Sequence, residues 1–168
     1  MPAEGLDPLH AFRFQVDFRS TSLGASSGTD RLVCQGAFSE VSGLEATMEP
    51  MVISEGGRSW GQIQRVGRTT FSTVILKRGL TTTRHLWDFF QKVNKDRAWA
   101  ARMTVKITLQ DLSGEGRIAW TLERAMPVKL KLADLNATNN EVGVEELHLV
   151  HEGLTEELMQ SGSEEAES

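Results

Sequence analysis

Cysteine is nearly absent: Cys34 stands alone among 168 residues, so no disulfide forms within the chain and packing must hold the fold. Set in the run Leu32-Val-Cys34 and without a C-x-x-C partner, Cys34 reads as a small hydrophobe, not a nucleophile. No stretch approaches the roughly twenty apolar residues that span a bilayer, so membrane insertion by this chain is not expected. The opening MPAEGLDPLH has neither the basic nor the apolar region of a secretory signal, which points to a cytoplasmic place of synthesis. Without such a signal, the Asn136-Ala-Thr138 sequon is read as loop chemistry. Walker-type and dinucleotide-binding glycine loops are also missing.

Positive charge is not in excess either. The formal net charge is -5, but Glu156, Glu157, Glu164, Glu165 and Glu167 crowd the last fifteen residues. Removing those five from the 23 acids leaves 18, matched by 18 bases, so residues 1–153 are formally neutral. Such a body has no bulk attraction for nucleic acid or anionic membrane, and Lys77-Arg78 is too short to make a basic patch. The uniformly acidic end, low in apolar residues, predicts a disordered tail over 154–168 attached to one folded domain over 1–153.

What is present is mostly strand signal. Phe12, Phe14, Val16 and Phe18 alternate with polar residues, as do Met103, Val105, Ile107 and Leu109. The second run turns through 111–116 into Ile118, Trp120 and Leu122, a long-looped hairpin. Strands are also expected over 32–38, 44–54, 59–66 and 70–78, and after Pro127 over VKLKL. In a last strand over 141–151 the apolar positions change face between Val144 and Leu147, which suggests a bulge near Glu145 and Glu146. The small polar residues of 20–30 predict a mobile loop. One helix is expected from Thr82 or Thr83 to about Val93, with Leu86, Phe89, Phe90 and Val93 on one face. Without repeated strand-helix alternation, the fold class is mainly β: a barrel or sandwich with one flanking α-helix.

Candidate chemistry is thin. Gly57-Arg-Ser59-Trp-Gly61 matches G-x-S-x-G, but a nucleophile elbow needs a strand before the serine and a helix after it, and the residues following Ser59 carry no helical stripe. His148 and His151 are three apart in an expected strand and so point to opposite faces. No catalytic, metal or cofactor site is expected.

Taken in order, Phe38-Ser-Glu-Val-Ser-Gly-Leu44, Glu55-Gly-Gly57, Leu76-Lys-Arg-Gly79, Leu86-Trp87, Trp120 with Ala125-Met-Pro-Val-Lys129, and the closing run 135–154 resemble the tail tube family of contractile phages and related injection systems. The resemblance covers about residues 9–154. It implies a tail-tube-like β-barrel with a flanking helix, homo-hexameric rings, and stacking of rings into a conduit inside a contractile sheath. It also implies baseplate or cap proteins at the tube ends and DNA or an effector protein as lumenal cargo. The LKRG and HEGL sequences are also similar to tube-initiator proteins, and a secreted ring-forming effector carrier is a further relative. Within this frame Glu45, Met48, Pro50, Met51, Glu55, Gly56, Gly57, Trp60 and Gly61 suit an arm that projects from the body and packs on a neighbouring subunit.

Overall fold

The computed structural model describes residues 13–20, 31–57, 59–80, 85–95, 102–134, 138 and 143–159. The expected loop over 20–30 falls almost wholly outside these residues, as do Thr82, Thr83, Asn136 and residues 160–168.

Where alternation is clean, strands form as expected. β1 (Arg13–Ser20) pairs antiparallel with β2 (Arg31–Phe38) on one side and β9 (Met103–Gln110) on the other. β9 continues through a tight turn into β10 (Gly116–Lys131), and β12 (Gly153–Leu158) pairs with the first half of β10. These strands make the first sheet. The second contains β3 (Glu40–Ser42), β8 (Val74–Gly79), β11 (Val144–Val150) and the second half of β10, all antiparallel.

Two strands belong to both layers. β2 runs through Ser39 straight into β3, and the Ser39 amide donates to the Lys77 carbonyl at 2.9 Å, so the ladder carries across the corner. β10 turns its corner near Arg124, whose φ of 50° is rare for a side chain with a Cβ. Glu152 holds this corner, accepting from Arg124 Nε and Arg102 Nη1 at 2.7 Å each. VKLK is therefore the end of one sixteen-residue strand, with Leu132 just beyond it, and not a separate element.

Between the layers lie Val16, Phe18, Leu76, Val105, Ile107, Leu122, Leu147 and Leu149, all fully buried. Truncating a buried leucine here to alanine costs about 2–5 kcal/mol. The helix α1 (His85–Lys95) packs against β2 and β10, with Phe89 meeting Phe18 at 5.1 Å between ring centres. Leu86 and Phe89 are buried, and Phe90 and Val93 pack against the same core, as the sequence stripe predicts.

Three expectations are corrected. β11 has no bulge: its register against β8 is continuous from Val144 to Leu149. The apparent change of face arises because Glu145 itself points inward, paired with Arg78 at 3.0 Å with both side chains under a tenth exposed. The stretches 44–54 and 70–78 are each broken in two, giving β4 (Ala46–Met48), β5 (Met51–Ile53), β7 (Thr69–Phe71) and β8, while 59–66 keeps only β6 (Ile63–Arg65). The body also does not end at residue 153, since β12 extends the first sheet to Leu158. Leu154 packs on the core and Glu156 accepts from the Trp120 indole N–H at 2.8 Å, which offsets the unfavourable composition of this acidic strand.

Candidate assembly surface

β4 pairs with β7 and β5 with β6, and these four short strands join neither main sheet. They make a two-stranded arm over 45–72, longer than the sequence segment 45–61 first suggests. At its root Gly43, with a φ of 82°, sits so close to the Thr73 carbonyl that a Cβ there would overlap it. Glu45 Oε2 accepts from Ser72 Oγ at 2.9 Å, tying the two sides together. Midway, Pro50 interrupts the ladder and Gly67 lies against the Glu49 carbonyl with no room for a Cβ. The Gly67 amide reaches Met48 Sδ at 3.4 Å.

Glu45, Met48, Pro50, Met51, Glu55, Gly56, Gly57, Trp60 and Gly61 all lie on this arm and are exposed. Trp60 is 87% exposed, Val66 83% and Met51 60%, so these large apolar side chains are no part of the chain's own core. Ser59, also exposed, stands in the loop between β5 and β6, with no helix after it, so the elbow geometry is not formed. His148 Nε2 lies 3.4 Å from Glu146, whereas His151 packs on Phe71 of the arm root, so the two imidazoles serve different places. Because His151 Nδ1 faces the Gly153 carbonyl at 2.9 Å, and a carbonyl only accepts, Nδ1 carries the proton. No group of three potential metal ligands occurs among the described residues. No helix among them is long and apolar enough to cross a membrane.

Sequence reading missed a second feature. Across the wet face of the second sheet, Glu40 stands opposite Lys77, Lys77 opposite Glu146, and Glu146 opposite Lys131. One row thus crosses four strands with charge alternating at every step. Lys77 donates to Glu40 at 2.8 Å, and its pKa is raised, first by that hydrogen bond, then by the Glu40 charge, with a smaller push from Glu146. The row ends in an acid on β3 at one edge and a base on β10 at the other. Neither edge has a further strand partner in the second sheet among the described residues. Only the register reveals this row, because its four residues are scattered between positions 40 and 146.

Comparison with known proteins gives this geometry a context. The family model for T4-like virus tail tube protein gp19 matches residues 10–155. A chain in the cryo-EM structure of the anti-feeding prophage baseplate superposes with a TM-score of 0.70 at 24% identity, covering 89% of this chain and 95% of that one. A chain of the PVC sheath-tube complex, an extracellular contractile injection system, gives 0.71 at 19% identity, with 90% and 93% covered. The cap that terminates the anti-feeding prophage tube gives 0.71 at 19%, with 95% and 100% covered. No curated protein sequence matches the chain.

Proposed function

Since the chain belongs to the T4-like virus tail tube protein gp19 family, we propose that it is the repeated subunit of the inner tube of a contractile tail or injection system, closing as six-membered rings that stack into a conduit. As a member of that family it is a structural tube protein and not an enzyme. Made in the bacterial cytoplasm, it would meet a contractile sheath on its outer face and baseplate or cap proteins at the tube ends, with DNA or an effector protein as cargo.

The observation that carries the ring is the charge row. An open edge invites pairing with another chain, and a head-to-tail contact whose rotation closes makes a ring with no edge left. Lys131 at one edge and Glu40 at the other are of opposite sign, so joining the β10 edge of one copy to the β3 edge of the next continues the alternation without a like-charge step. Every base in the completed row then has an acid on both sides, which suits a wall that holds neither a polyanion nor a polycation.

Negative-stain electron microscopy of the purified protein and of its native particle tests the reading: six-fold rings or stacked tubes are expected. A monomer at high concentration, absent from the particle, would overturn it. Lys131→Glu places an acid at both ends of the row and is expected to abolish rings while leaving a folded monomer. Undiminished rings in this variant would put the seam elsewhere. Similarity to a baseplate chain and to a tube cap favours, as a second reading, a subunit found only at a tube end. Antibody labelling along the whole tube supports the first reading, and labelling of one terminus the second.

A further inference from the structure

A ring closed through the edges of the second sheet has an inside and an outside, and the bulk of the subunit decides which face takes which. The first sheet and α1 both lie on the buried side of the second sheet, where Phe18, Phe89, Val105 and Leu122 share one core with Leu76 and Leu147. The bulkier side needs the larger circumference, so the wet face of the second sheet turns to the lumen. Its charged positions on the four strands are Glu40, Lys77, Glu146, Lys131 and Lys129, because Arg78 and Glu145 point inward and pair there. Two acids against three bases leave one positive charge on this face of each copy.

The excess charge has one address. In the alternating row Lys77 stands between two acids, and Lys131 gains the Glu40 of the next copy when the ring closes. Lys129 belongs to the adjoining row, in which Ser42 stands opposite Ile75, Ile75 opposite His148, and His148 opposite Lys129. No acid lies in that row. Lys129 is exposed and makes no ion pair with a described residue, while Glu146, on the strand beside it, has His148 Nε2 at 3.4 Å. Around Lys129 the face turns apolar. Val128, bulged out of the β10 ladder next to it, is 45% exposed, and on the following rung Met126, 37% exposed, stands opposite Val150.

A lone base set among apolar side chains is the wrong surface for nucleic acid. A duplex lays down charge continuously, so its phosphates would fall on Glu40 and Glu146 as well as on the lysines. Single strands are held by stacking on aromatic or arginine planes, and among the described residues of these four strands no Phe, Trp or Arg faces this side. A protein segment with isolated carboxylates between apolar residues matches both features: a carboxylate takes the Lys129 ammonium, and its neighbours cover Val128, Met126 and Ile75. We propose that the belt of Lys129 with Val128 and Met126 is a lumenal site for cargo, and that it takes an acidic protein segment bearing apolar side chains and not DNA. The inference rests on the ring reading above.

The test is fluorescence anisotropy on the full chain at low ionic strength, with every sample checked for rings by electron microscopy. The probes are a labelled peptide with glutamates spaced among valines and serines, its twin with lysine for every glutamate, and labelled single-stranded and duplex DNA. The glutamate peptide is expected to bind at least ten-fold more tightly than the other three. Lys129→Gln should weaken it at least ten-fold and Lys129→Arg should keep it, both with rings and circular dichroism unchanged. Val128→Ser should weaken it as well, which a purely electrostatic contact would not show. DNA binding as tightly as the glutamate peptide would overturn the assignment to protein cargo. Unchanged affinity in Lys129→Gln, with rings intact, would overturn the site while the ring reading stands. Wild-type protein that forms no rings would overturn the ring reading and the inference with it.

Discussion

At the scale of single residues, the buried Arg78–Glu145 pair departs most from what composition predicts. A glutamate at an inward strand position interrupts the apolar period, and in sequence alone that interruption has the pattern of a bulge. Nothing local marks residue 145 as paired, because its partner lies on another strand, 67 residues away. The arginine also stands over the Phe38 ring at 6.0 Å and keeps its Nη2 buried without a hydrogen-bond partner. Its environment therefore has little to offer if the carboxylate is removed. Glu145→Ala is expected to cost about 3–5 kcal/mol of folding stability, while Arg78→Met with Glu145→Leu should return close to wild type or exceed it. Urea denaturation of the three proteins checks this; an equal loss in the single and double variants would show that the pair's charges are not what matters.

At the scale of elements, legibility followed locality. β1, β9 and α1 were readable because their periods come from contiguous residues and each has a single buried face. The arm was legible only through the family resemblance, with Pro50, the paired glycines and Trp60 suiting a projecting segment, and its extent was not. Its division into four strands depends on Gly67 meeting the Glu49 carbonyl across the hairpin, a contact that no window of adjacent residues contains. Gly67→Ala must push the two sides apart at that point. Since the arm lies outside both sheets, the thermal midpoint is expected to hold while the Glu49 amide, bonded to the Arg68 carbonyl at 3.1 Å, exchanges its proton at least ten-fold faster. Unaltered exchange at Glu49 would mean that the arm accommodates the methyl group. β12 was missed for the opposite reason: three of its six residues are polar, two of them acidic, and its support comes from Trp120 and the core.

At the scale of the whole molecule, the two shared strands make the layers mutually dependent. Ending the chain at Glu152 removes β12, the Leu154 contact and the acceptor for Trp120. The expected loss is about 3 kcal/mol, from one buried leucine and one hydrogen bond, seen as a lower urea midpoint. A midpoint unchanged from the full chain would show that β12 adds nothing to the body. The charge row belongs to this scale too, since it exists only when strands from four parts of the chain are in register.

The pairing order also sets a timetable. Residue 13 waits for residue 110 before β1 has its inner neighbour, and Lys77 waits for Glu146. Pairings this distant in sequence place the protein among slow folders, on the order of milliseconds to seconds. During synthesis, moreover, neither layer can be completed until β11 and β12 have left the ribosome. The basic edge on β10 and the acidic edge on β3 are thus united in one sheet only when β11 joins β8 to β10, so a shorter nascent chain has no finished pair of edges with which to polymerise.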